Sequence, residues 1–218
     1  MRLRIDLKIF IFLIVFYFTK QITFYAFTMI FCILHELGHL VAGVILKFDI
    51  NKIELMPWGV SIEFNPKMSD YNRKILKANI LEIKKIIIAL AGPFVNLILI
   101  IIFSNMEIVF KEIILYSNVA ILLFNILPIY PLDGGRILKG VLKLLKGNIK
   151  ATRYTNTISN IVIIAITLFC GFYIYTFKNI AIVIILTYLW FLTIIENKRY
   201  KMKNRLYVTM NNLFMENK

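Results

Sequence analysis

The chain has 218 residues, 60% of them hydrophobic, and a formal charge of +14 from 26 Lys and Arg against 12 Asp and Glu. A soluble domain carries about 45–50% apolar residues; here the excess gathers in blocks long enough to cross the hydrocarbon core of a bilayer. The basic residues lie between those blocks, which argues against nucleic acid as their partner and for orientation against an anionic membrane face, and the two cysteines, Cys32 and Cys170, both sit inside apolar blocks, which argues against a disulfide framework.

Six apolar blocks follow in chain order, at about Ile5–Phe18, Ile22–Leu46, Ile86–Ser104, Ile113–Ile129, Ile158–Phe177 and Ile180–Ile195. The first has the basic start and apolar run of a signal peptide. Thr19-Lys20-Gln21 is no small-residue cleavage site, so the block reads as an uncleaved span. All Lys and Arg except Lys20, Lys111 and Lys178 fall at the N-terminus, after the second block, after the fourth or in the tail. Under the positive-inside rule this alternation predicts six spans with both termini cytoplasmic. The expected fold is an all-α polytopic membrane protein: a six-helix domain over 1–196 and a basic cytoplasmic tail over 197–218.

Two connections carry patterns of their own. Asn51 to Asn65 holds two short β-prone runs around Pro57-Trp58-Gly59, which predicts a membrane-associated β-hairpin after the second span. Arg136 to Lys150 spaces Arg136, Lys139, Lys143, Lys146 and Lys150 among leucines, valine and isoleucine. That pattern predicts an amphipathic helix lying in the interface, either as an anchor or as a docking surface.

The chemistry is concentrated in the second block, which contains His35-Glu36-Leu37-Gly38-His39 and thereby both histidines of the chain. Residues i and i+4 share a helix face, so both imidazoles reach one metal, with Glu36 beside the water that it activates. Three polar groups in hydrocarbon are costly unless partnered, and a metal supplies the partner. Zinc bound there makes hydroxide available at neutral pH, and Glu36 takes the proton and returns it to the leaving amine. Catalytic zinc usually has three protein ligands. With no third histidine the candidates are a carboxylate or Cys32, and Asp133 is the best carboxylate. It ends the fourth block, between Pro128, Pro131 and Gly134-Gly135, where broken helix near a membrane must be buried or line a cavity. Ala91-Gly92-Pro93-Phe94-Val95-Asn96 interrupts the third block. Gly92 allows close helix approach, Pro93 bends the helix, and Asn96 is read as bonding a neighbouring helix rather than lining the site.

These residues resemble the site-2 protease family of zinc-dependent intramembrane metalloproteases. The likeness rests on His-Glu-x-x-His in one span, Ala-Gly-Pro-x-x-Asn in the next, and Asn125, Pro131, Asp133 and Gly134 in a later motif. It implies one catalytic Zn²⁺ on His35, His39 and Asp133, with Glu36 as acid/base and Asn125 orienting substrate or stabilising the oxyanion. Leu-Met-Pro-Trp-Gly at 55–59 and Leu-Pro-Ile-Tyr-Pro-Leu-Asp-Gly-Gly-Arg at 127–136 resemble the sporulation branch of that family. That branch implies a membrane-associated sigma-factor precursor as substrate, inhibitory membrane-protein partners, and the mother-cell membrane around the forespore. Neither a CBS nor a PDZ domain is read in the chain. The hairpin at Pro57, Trp58 and Gly59 is a candidate for pairing with an unwound substrate. A rival reading is a non-proteolytic metal-binding protein or transporter, which would need ligands spread along a route rather than two in one motif.

Overall fold

Apolar blocks too long for strands become helices, and the alternating run after the second block becomes sheet. A computed structural model describes residues 2–5, 8–18, 20–56, 59–65, 75–177 and 180–216. The elements run β1 (Arg2–Ile5), α1 (Lys8–Phe18), α2 (Ile22–Ile45), β2 (Asp49–Met56), β3 (Gly59–Asn65), α3 (Ile75–Ser104), α4 (Lys111–Ile126), α5 (Asp133–Phe177) and α6 (Ile180–Glu216). They fall into two units, Met1–Ile126 and Leu127–Lys218.

In the first unit α2, α3 and α4 pack together, and their burial is inverted relative to a soluble protein. His35, His39, Asn96, Ser117 and Asn118 are buried, while Ile30, Val41, Val44 and Ile45 are each more than half exposed. Polar groups inside and a broad apolar exterior are what a lipid solvent demands. Inside, Phe31, Ile114 and Ile121 form one apolar cluster and Phe48, Leu81 and Ile88 another. Small residues set how closely the helices approach. A Cβ on Gly38 would lie 2.7 Å from Val95 Cγ2 and 2.8 Å from Ala91 O, so α2 and α3 touch backbone to backbone there.

The end of α2 is closed by its own carbonyls. Phe48 N donates to Gly43 O at 2.9 Å and Lys47 N to Val44 O at 3.0 Å. With Lys47 at φ 63 this is a Schellman turn, built with lysine where glycine is usual. The turn delivers the chain directly into β2. The hairpin is present: β2 and β3 pair antiparallel from Asp49↔Asn65 to Met56↔Gly59, with an irregularity between Ile50 and Lys52. Phe64 of β3 lies so close to Gly43 that a Cβ there would overlap its ring, so the sheet is seated on α2.

The structure corrects the expected fold in two places. Arg2–Ile5 is a strand, parallel to β2 in a three-stranded sheet of order β1-β2-β3, so the first apolar block does not begin as helix at Ile5. The basic helix expected over Arg136–Lys150 is broken at Gly147, whose φ of 77 and ψ of 168 are not helical. Among the described residues three helices are long and apolar enough to cross a membrane: Ile22–Ile45, Asn79–Ser104 and Asp133–Gly171. At 11 and 16 residues, α1 and α4 are shorter than the roughly 17–25 of a spanning helix.

In the second unit α5 and α6 pack together. Asn160 and Asn197 exchange amide hydrogen bonds of 3.3 and 2.9 Å, and Trp190 Nε1 donates to Thr167 Oγ1 at 3.0 Å. Interhelical polar pairs of this kind hold helices together where lipid removes the hydrophobic drive.

Candidate metal centre

The helical period puts His35 and His39 on one face of α2, and that face meets α3 at Gly92. A Cβ on Gly92 would fall on the imidazole nitrogens of both histidines. Only a residue without a side chain fits beneath the two rings. Pro93 follows and offers no N–H to the carbonyl four residues before it, which loosens the helix at this level.

Each imidazole is fixed by what its Nδ1 touches. The His35 side is a relay that starts at a backbone carbonyl. Ile114 O can only accept, so Asn118 Nδ2 donates to it at 2.9 Å. Asn118 Oδ1 therefore accepts from Asn96 Nδ2 at 3.1 Å, and Asn96 Oδ1 is left to accept from His35 Nδ1 at 2.5 Å. His39 Nδ1 donates to Ile88 O at 2.6 Å. Both rings thus carry hydrogen on Nδ1, which in a neutral imidazole leaves the lone pair on Nε2. The two Nε2 atoms lie 3.2 Å apart.

Two buried acceptors facing each other repel unless a cation or a proton lies between them. Zn–N bonds of about 2.0–2.1 Å at a tetrahedral angle place two nitrogens ~3.3 Å apart, close to this separation. An oxygen partner on the far nitrogen of each imidazole is also the usual support of a metal-binding histidine. The pair therefore fits a zinc ion by donor type, tautomer and spacing. Glu36, next along α2, is half-buried.

In the second unit Asp133 is the first residue of α5, 4% exposed. The segment before it folds back through Leu132 N to Ile129 O at 2.8 Å, and Tyr130 N donates to Ser159 Oγ at 3.0 Å. Gly135 permits this return, because a Cβ there would overlap the backbone of Ile129 and Tyr130. The first turn of a helix favours a carboxylate, and Arg136 Nη1 lies 3.5 Å from Asp133 Oδ1.

The other expected residues are placed less tellingly. Asn125 lies in the last turn of α4, and its Nδ2 donates to Ile121 O at 3.1 Å. Gly59 opens β3, while Pro57 and Trp58 lie outside the described residues. Asn96 does bond a neighbouring helix as expected, but its partner is a metal-type histidine, so it also lines the site. Asn118, which completes the relay, carries no motif. The one available signal was an asparagine in an otherwise apolar span, which must find a polar partner.

The profile of peptidase family M50 matches residues 23–111 and 105–169, well over half of the chain. The chain is 27% identical over 116 residues to stage IV sporulation protein FB of Bacillus subtilis, a match covering 50% of this chain and 37% of that protein. It is 31% identical over 146 residues to a zinc metalloprotease of Methanocaldococcus jannaschii, covering 63% of this chain and 39% of the relative. The chain thus spans less than two fifths of the length of either relative. Among solved structures, the site-2 protease from Methanocaldococcus jannaschii matches with a TM-score of 0.62 at 22% identity, over 88% of each chain. At that identity the match is a likeness of fold.

Proposed function

Because this chain belongs to peptidase family M50, we propose that it is a zinc-dependent endopeptidase of the site-2 type, hydrolysing a peptide bond of a membrane-associated protein. The observation that carries this reading is the pair of Nε2 atoms 3.2 Å apart, each ring locked from behind by an oxygen acceptor. His35 and His39 hold the ion and Asp133, a buried carboxylate at a helix start, is the third ligand. Zinc, when bound, supplies Lewis acidity at neutral pH. Glu36 accepts a proton from the attacking water as its oxygen joins the peptide carbonyl carbon. It then delivers that proton to the nitrogen as the C–N bond breaks. Asn125 orients the substrate carbonyl or stabilises its developing negative charge. The segment Pro57-Trp58-Gly59 meets the unwound substrate.

The substrate proposed is a sporulation sigma-factor precursor. Its support is the motif likeness to the sporulation branch together with a relative whose name places it in stage IV of sporulation. The same likeness supports inhibitory membrane-protein partners and the mother-cell membrane around the forespore. The alternation of basic residues supports six spans with both termini cytoplasmic. A second reading keeps the peptidase and changes the substrate to another membrane protein.

Co-expression of the chain with a sporulation sigma-factor precursor tests this. Wild type should process the precursor, and Glu36→Gln should abolish processing with zinc content unchanged, since glutamine keeps the size but takes no proton. Equal processing by Glu36→Gln would remove Glu36 from the mechanism. Asp133→Asn should weaken zinc binding and activity together, because a direct ligand is lost; full zinc occupancy with normal turnover would move the third ligand elsewhere, with Cys32 tested next. Cleavage of an unrelated membrane protein, with the sigma precursor untouched, would select the second reading.

A further inference from the structure

The second unit holds a cleft between α5 and α6 that the peptidase chemistry does not use. It is bordered by Lys139, Arg199 and Lys203, with Thr155 and Thr193 at its base. We propose that this cleft binds the phosphorylated polyol headgroup of an anionic phospholipid, of the glycerol-phosphate class.

The cations give the phosphate. Lys139 Nζ sits 3.9 Å from the centre of the Tyr130 ring, a cation–π contact that holds the ammonium at the rim. Arg199 gives Nη1 to Glu196 Oε1 at 2.5 Å. A guanidinium has five N–H donors in a planar fork, so this bond braces the side chain and leaves donors for the forked recognition that suits phosphate. Three positive side chains against the single carboxylate of Glu196 leave the border cationic.

The base gives the polyol. Thr155 and Thr193 are each 2% exposed. Their hydroxyl hydrogens are spent on their own helices, Thr155 Oγ1 to Ala151 O and Thr193 Oγ1 to Leu189 O, both at 2.8 Å. What each hydroxyl has left to offer a ligand is oxygen lone pairs. Lone pairs repel a bare phosphate and accept from hydroxyls, so donors at the border and acceptors at the base suit a phosphate ester carrying free hydroxyls.

The level gives the lipid. The apolar run of α5 begins at Ile158 and that of α6 ends at Ile195. The cleft residues Thr152 to Ser159 and Thr193 to Lys203 straddle both transitions. In antiparallel helices these transitions coincide, and that is the depth at which headgroups, tyrosines and basic side chains meet.

Native mass spectrometry of the full chain in a non-ionic detergent tests the assignment, using dioctanoyl phosphatidylglycerol as probe. Wild type should retain one equivalent. The triple variant Lys139→Gln, Arg199→Gln, Lys203→Gln should shift half-saturation at least tenfold. A control with the same charge change elsewhere, Lys146→Gln, Lys150→Gln, Arg205→Gln, should bind as wild type. Lys139→Arg with Lys203→Arg, which keeps the charge, should also bind, and it separates lost binding from lost folding. Thr193→Val should weaken phosphatidylglycerol while leaving phosphatidic acid, which lacks the second glycerol, unaffected. Displacement of the lipid by millimolar glycerol 1-phosphate would make the soluble ester the ligand; failure to displace makes it the lipid. Equal shifts from the two triple variants, or retention of dioctanoyl phosphatidylcholine equal to that of phosphatidylglycerol, would overturn the site.

Discussion

The glycines around the histidines and two in α5, Gly147 and Gly171, are the same residue used for opposite reasons. At Gly38 and Gly92 there is no room: a methyl group would strike Ala91 O in one case and the imidazole nitrogens in the other. At Gly147 and Gly171 nothing lies within 4 Å of the same methyl group. Gly92 is required by volume, Gly147 by a φ of 77 that L-residues rarely adopt, and Gly171 by neither. A crowded glycine thus marks a close approach, helix on helix at Gly38 and helix on imidazoles at Gly92. An open one marks where the chain changes direction or carries no constraint.

Substitution by alanine separates these cases. Gly92→Ala should have the largest effect, lowering zinc affinity by about 100-fold or more, at the upper end for groups that orient metal ligands. Chelator competition on purified protein reads this, and normal zinc binding would break the steric account. Asn96→Ala should cost roughly tenfold in zinc affinity by freeing the His35 ring. Asn96→Asp, which keeps an oxygen toward His35 Nδ1, should recover most of it; equal loss in both variants would show that the relay does not hold the ring. Gly147→Ala should destabilise by about 1–3 kcal/mol, because its backbone conformation is essentially confined to glycine, read as a shift in detergent unfolding, with zinc affinity unaltered. The smallest effect, of opposite sign, belongs to Gly171→Ala, which should stabilise α5 by ~0.5–1 kcal/mol. If Gly147→Ala and Gly171→Ala shift unfolding alike, backbone conformation is not what distinguishes them.

The sequence was most informative where one short-range period decides the outcome. His35 and His39 are four apart on a helix, and no later fold could separate them. The hairpin was legible because two β-prone runs flank Pro57-Trp58-Gly59, and strands at Asp49–Met56 and Gly59–Asn65 follow. What stayed hidden depends on partners distant in the chain. Arg2–Ile5 has four residues of weak preference and becomes a strand because β2, some fifty residues on, offers it an edge. The relay needs Asn118 on α4 to meet Asn96 on α3, and no local pattern announces that meeting. The break at Gly147 is a third kind. A lone glycine in a helical pattern is compatible with continuing the helix, and the heptad-like spacing of lysines across it favoured that reading.

The seat of Phe64 on Gly43 gives the sheet a mechanical role. The sheet joins α2 through the three residues between Ile45 and Asp49 and rests against it at Gly43. Fastened at two nearby points, it cannot swing on the helix; it turns with it. Gly43 lies four residues beyond His39, or about 6 Å along the axis at 1.5 Å per residue. A sideways load on β3 is therefore a torque on α2 applied one turn from the His39 imidazole. The sheet works as a handle on the helix that carries both histidines.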